Sequence, residues 1–157
     1  LQYSLLTFII IEMVKKILFI CTANSCRSQM AEGLARQLGK GLIEPYSAGL
    51  ISSIVHPMAV AVMKEIGIDI SRQVSKSIDH DLLRSMDMVI TLCTNAESYC
   101  QRIPLDVKRL HWPVKDPVGT IGTEDKVMRE FRRARDEIRD RIIDLLSSLR
   151  SGRISSF

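Results

Sequence analysis

The 157 residues are 46% hydrophobic and 25% charged, with only 5% aromatic; that length suits one α/β-sized domain, and the apolar fraction excludes a wholly disordered chain. The 22 Lys and Arg against 18 Asp and Glu leave a formal charge of +4, too small and too dispersed to mark a nucleic-acid groove. Four cysteines are too few to staple a fold of this length. Leu1 to Ile11 (LQYSLLTFIII) is apolar, but a spanning helix needs about 20 such residues. It also lacks the basic leader and small-residue cleavage site of a signal peptide. MVKKILFIC from Met13 reads as a natural start, so residues 1–12 are expected to be an extension outside the core. Without an export signal the cytoplasm is the expected compartment, where thiols stay reduced or are used chemically.

Lys16 to Cys21 is a nearly continuous apolar run, as in a strand buried on both faces. From Ser28 the period changes to that of a helix, with Met30, Ala31, Leu34, Ala35 and Leu38 on one stripe ending near Gly39. Residues 43–48 read as an edge strand, where Pro45 is tolerated. Pro57 opens a helix that Met58 to Ile66 continue and Gly67 stops. Residues 79–86 suit a short helix, Met88 to Leu92 a second buried strand and Val107 to Trp112 a third. From Thr123 to about Arg150, Val127, Phe131, Ala134, Ile138, Ile142, Leu145 and Leu149 share one face of a long closing helix. The opposite, charged face of that helix reads as solvated. Strands alternating with helices predict one α/β domain over residues 13–150 with a tail over 151–157. Its four-stranded parallel sheet would be flanked by helices in three layers, with ligands at the strands' C-terminal ends.

Between the first strand and the first helix lies Cys21-Thr22-Ala23-Asn24-Ser25-Cys26-Arg27-Ser28. A loop wrapped there turns successive backbone N–H groups inward as an anion nest at a helix N-terminus. Arg27 can close the nest with its planar fork on two oxygens of a tetrahedral oxyanion. The same positive field favours the Cys21 thiolate. Ser28 can donate to that sulfur, and Asn24 suits the left-handed backbone angle that such a loop needs.

The stretch CTANSCRSQMAEG resembles the active-site loop of the low-molecular-weight tyrosine phosphatase superfamily, and more closely its thioredoxin-coupled arsenate reductases. The similarity continues through Tyr46–Gly49 (YSAG), Ile66–Ser71 (IGIDIS), Thr91–Cys93 (TLC), His111–Trp112 and Asp116–Pro117. It departs at Ala23, where relatives commonly carry Gly. The resemblance implies substrate contacts from Thr22, Ala23, Asn24, Ser25, Cys26, Arg27 and Ser28, with Cys21 as nucleophile and Asp116 as general acid. Cys93 and Cys100 match the family's redox cysteines, and thioredoxin is the implied reductant. Cys26 is the thiol left with a structural role.

Reductase and phosphatase share their first step and then part. A phosphatase needs water to attack the thiol adduct, whereas a reductase needs a second thiol. Cys93 ends a strand at the sheet edge where Cys21 ends another, and Cys100 follows seven residues later. Were that segment helical, the two sulfurs would stand roughly 10 Å apart along the axis, beyond the ~7 Å Cα separation a disulfide allows. The segment must then unwind for them to pair. No aromatic residue follows Asp116-Pro117, where phosphatases of this fold wall a slot for the phosphotyrosine ring, and Gln29 stands where they usually have Pro. Both features favour a small inorganic oxyanion: arsenate, with phosphate or sulfate as competitors.

The resemblance implies no cofactor. Cysteine spacings of 21/26 and 93/100 fit zinc poorly, and no bound metal is expected. Groups matching a monovalent-cation site in relatives are Asn24, Glu32 and Ser47, but a further carboxylate is replaced by Lys76, whose ammonium can stand in for a cation. His56, His80 and His111 are far apart and read as surface or capping residues. A monomer without nucleic-acid or membrane partners is expected.

Overall fold

The computed structural model describes residues 14–153; the expected extension over residues 1–12, Met13 and the last four residues of the expected tail lie outside the described residues. Four strands, β1 (Lys15–Cys21), β2 (Ile43–Gly49), β3 (Met88–Thr91) and β4 (Lys108–His111), form one sheet in the order β2-β1-β3-β4. Every neighbouring pair is parallel. β1 is central, and Ile17, Leu18, Phe19 and Ile20 are completely buried, the outcome its unbroken apolar run predicts. Pro45 sits in edge strand β2, where its missing N–H interrupts no interior ladder.

The helices are α1 (Arg27–Leu38), α2 (Pro57–Lys64), α3 (His80–Arg84), α4 (Thr94–Glu97) and α5 (Glu124–Arg150), with a 3₁₀ turn at Ser98–Arg102 directly after α4. α1 and α5 pack on each other and α2 packs against both, while α4 packs on β1 and β3. Three of the ends have a local cause. His56 caps α2 through Nδ1, which accepts from Met58 N at 3.1 Å, and Thr123 caps α5 through Oγ1, which accepts from Lys126 N. Gly67, at φ 79°, turns the chain after α2. α2 stops two residues before Ile66, β3 ends one residue short of Leu92, and β4 is one residue shorter at each end than read.

The apolar stripe of α5 is buried as expected at Phe131, Ala134, Ile138, Ile142 and Leu145. Its charged face is not wholly solvated. Arg135 is buried, its Nη1 donating to the Val62 carbonyl at 2.8 Å and its Nε to Asp136. That guanidinium ties α5 to α2, so the stem packs while the head finds fixed acceptors. Among the described residues, no helix is long and apolar enough to cross a membrane.

Candidate active site

β1 has β2 on one side and β3 on the other, so the chain leaves it in opposite directions and a crevice opens beyond the carboxyl end of β1. Residues 22–26 fill that crevice between Cys21 and the first turn of α1. Among the described residues, Asn24 is the non-glycine residue with positive φ, at 46°, so it, and not Ala23, supplies the left-handed angle. Its fully buried side chain organises the loop. Nδ2 donates to Ser28 Oγ and to Ser47 Oγ, both at 2.9 Å. Oδ1 accepts from Lys76 N at 2.8 Å and from Gln29 Nε2 at 2.9 Å.

Gly49 follows from the same crowding. A Cβ there would fall against the Ile51 carbonyl oxygen, 2.5 Å from Asn24 N and 2.8 Å from Ala23 C. The end of β2 touches the loop backbone, and only a residue without a side chain allows it.

The Cys21 sulfur lies 2.8 Å from Ser28 Oγ. Because that oxygen already accepts from Asn24, its own hydrogen is free to point at the sulfur, an arrangement that suits a thiolate. Cys26, 3% exposed, behaves differently. Burial pushes its thiol pKa far up, with Asp116 and Cys21 adding to the effect and Arg27 opposing it. Its side chain packs in the core and also borders the opening beside Cys21. Thr22, Ala23 and Ser25 line the same opening as Cys21.

The opening is a cavity of about 440 Å³ bordered by Cys21, Arg27, His56, Asn95 and Asp116, with Ile54 and Val118 on its rim. Arg27 is 6% exposed. Its Nη1 donates to the Val114 carbonyl at 2.9 Å and its Nη2 meets Asp116 Oδ2 at 3.0 Å. The two residues assigned to anion binding and proton donation are thus already paired across the mouth. Asp116 Oδ1 accepts from Val118 N at 3.0 Å, which fixes the carboxyl group at the start of its turn.

Cys93 caps α4, its sulfur accepting from Ala96 N at 3.3 Å. The same sulfur lies 3.4 Å from Thr22 Oγ1 in the Cys21 loop. A second thiol therefore borders the Cys21 loop, because β1 and β3 pair in parallel and end at the same edge, and it sits at a helix N-terminus because α4 follows β3 directly. Cys100 lies in the 3₁₀ turn, half-buried, and all four cysteines are free.

Sequence reading underrated a ring of supporting residues. Gln29 is fully buried, and its Nε2 also holds the Asn24 and Val74 carbonyls, while its Oε1 accepts from Gln73 at 2.7 Å. It shapes the loop besides standing where phosphatases have Pro. The Ser47 hydroxyl donates to Glu32 Oε2 at 2.7 Å, and Lys76 Nζ lies 3.5 Å from that hydroxyl. The ammonium thus does stand beside the Asn24–Glu32–Ser47 group. His56 borders the cavity as well as capping α2, a role that no spacing in the sequence signals. Among the described residues, no three His, Cys, Asp or Glu side chains are placed to hold a metal ion.

Comparison with known proteins agrees with this geometry. The family described as low molecular weight phosphotyrosine protein phosphatase matches residues 16–154. The arsenate reductase of Bacillus subtilis is 49% identical over 128 residues, 82% of this chain and 92% of that protein. Among solved structures, an arsenate reductase in the phosphate binding state is 40% identical with a TM-score of 0.69, over 86% of this chain and 98% of the other. An arsenate reductase in the oxidized state is 36% identical with a TM-score of 0.72, over 86% and 98%. The chain belongs to the low molecular weight phosphotyrosine protein phosphatase family, on its arsenate reductase branch.

Proposed function

We propose that this protein reduces arsenate to arsenite through Cys21, Cys93 and Cys100 in turn, with thioredoxin as the final reductant. The observation that carries the reading is the Cys93 sulfur held 3.4 Å from Thr22 in the Cys21 loop. A hydrolase has no use for a second thiol there, and a reductase cannot work without one.

Arsenate enters the nest and draws the Arg27 fork onto two of its oxygens, in competition with Asp116. That exchange frees Asp116 Oδ2, which takes up a proton from the entering arsenate and faces the oxygen that departs, while Oδ1 stays on Val118 N. The Cys21 thiolate attacks arsenic, and Asp116 protonates the leaving oxygen, which is lost as water. Cys93 then attacks the Cys21 sulfur. An S–S bond forms, the S–As bond breaks, and its electron pair stays on arsenic, taking As(V) to As(III). Cys100 next attacks Cys93 and Cys21 leaves as thiolate. Thioredoxin reduces the Cys93–Cys100 bond by donating two electrons and two protons. Thr22, Ala23, Asn24, Ser25, Cys26 and Ser28 complete the anion site, and phosphate and sulfate compete there. The enzyme acts as a cytoplasmic monomer made of one catalytic domain, residues 13–150.

The second reading is a phosphomonoester hydrolase, favoured by the Cys21–Arg27–Asp116 set that phosphoryl transfer also uses. Val118 and Ile121 on the loop after Asp116 are exposed aliphatics, so no aromatic side chain from these positions grips a phosphotyrosine ring. Arsenite release in a thioredoxin system decides between them. Wild type should turn over many times, while Cys93→Ser and Cys100→Ser should not. Multiple turnover by all three refutes the relay, and aryl phosphate hydrolysis without arsenate reduction establishes the hydrolase.

A further inference from the structure

His111 ends β4, and its register partner is Thr91 at the end of β3. Thr91 is fully buried, and its Oγ1 lies 2.8 Å from His111 Nδ1. The imidazole is therefore anchored on the sheet. Its other nitrogen, Nε2, lies 3.3 Å from Glu97 Oε2. Glu97 is the last residue of α4, between Cys93 and Cys100. The imidazole is 24% exposed and the carboxylate 51%, so one partner is fixed and the other sits on the outer side of a short helix.

With α4 and the 3₁₀ turn formed, four α-helical steps and three 3₁₀ steps separate Cys93 from Cys100, about 12 Å along the axis. A disulfide tolerates a Cα separation of about 7 Å. The bond cannot close while the segment stays wound, and unwinding carries Glu97 off the sheet. We propose that His111 and Glu97 form a clasp that holds the Cys93–Cys100 segment wound and thereby sets the redox balance of that thiol pair. The inference rests on the relay reading and names two positioning residues for it, neither of which touches arsenate.

The shut clasp keeps the Cys93 sulfur at Thr22, facing the nucleophile's loop, and disfavours direct oxidation of Cys93 with Cys100. It opens when Cys100 attacks the Cys21–Cys93 disulfide. One S–S bond then forms as another breaks, Cys21 leaves with the electron pair, and the Cys100 proton passes to water. No net oxidation occurs, and Glu97 and His111 exchange their contact for water. Because the clasp belongs to the wound segment and not to the Cys93–Cys100 disulfide, removing it favours that disulfide.

The test uses the Cys21→Ser protein, equilibrated in glutathione buffers, with the Cys93–Cys100 bond quantified by alkylation and peptide mass. Adding Glu97→Ala should shift the equilibrium roughly three- to fivefold toward the disulfide, or about 15–20 mV in potential. Alanine is the better helix former, so a shift in that direction does not come from lost helix propensity. His111→Asn, which can still reach Thr91 but not Glu97, should give a similar shift. The double variant should move no further than the larger single. Glu97→Gln, which can still accept from Nε2, should recover much of the balance. Unmoved single variants, or single effects that sum in the double, overturn the clasp while leaving the relay standing. Absence of any Cys93–Cys100 bond in the parent across all buffers overturns the relay, and the clasp with it.

Discussion

Replacing Asn24 with Ala removes the side chain on which the whole anion loop hangs. Lys76 N loses its Oδ1 acceptor at 2.8 Å, and an orphaned N–H costs about 1–2 kcal/mol. The Ser28 and Ser47 hydroxyls each lose a donor at 2.9 Å, at roughly 1 kcal/mol apiece, since both keep another partner. Alanine must also adopt the left-handed angle at φ 46°, for about 1 kcal/mol more. The sum is about 4 kcal/mol, or a fall in Tm of about 8–16 °C for a chain of this size. Urea unfolding followed by far-UV circular dichroism reads it as a lower midpoint with unchanged slope. Asn24→Gly separates the parts. It loses the same hydrogen bonds but adopts the angle freely, so it should be about 1 kcal/mol more stable than Asn24→Ala. A loss below about 1 kcal/mol in Asn24→Ala would refute the hydrogen-bond reasoning, and a glycine variant no better than alanine would refute the backbone part.

Arg27→Lys keeps the charge but loses the fork that meets Val114 and Asp116, so kcat/KM for arsenate should fall about 100-fold; steady-state kinetics with near-native values would remove Arg27 from anion binding. Gly49→Ala drives a methyl group against the Ile51 carbonyl and the Asn24 nitrogen and should cost about 2–3 kcal/mol, read as a thermal shift. Burial lowers the His56 pKa below its ordinary value near 6.5, with Asp116 opposing. The unfolded chain therefore takes up this proton first, and stability falls as pH drops from 6.5 toward the folded value. His56→Asn can still cap α2 but does not titrate, so its stability should decline less between pH 7 and pH 5; parallel decline in both proteins would show that His56 contributes nothing to acid sensitivity.

Much of the candidate site was legible because it is local. Cys21 and Arg27 are six residues apart on one loop, and their place between a buried strand and an amphipathic helix follows from hydrophobic period alone. Asn24 declared itself as the residue able to take a left-handed angle, and it does so. Cys93 could be placed near Cys21 from its position at a strand's end, since parallel strands align their carboxyl termini at one edge. The helical form of residues 94–102, on which the argument for unwinding depends, was legible only as a condition.

What the sequence determined by itself was therefore the elements, their order and the reactive loop, since each depends on residues close together in the chain. Tertiary structure decided how distant groups meet. Arg27 pairs with Asp116 across 89 residues, Asn24 holds Lys76 N across 52, and Cys93 reaches Thr22 across 71. No periodicity encodes such contacts, because they depend on strand register and on which loops the sheet gathers at one end. The same holds for Arg135, a charge read as solvated that the fold buried against the Val62 carbonyl, and for His111, an isolated histidine until β4 set it between Thr91 and Glu97.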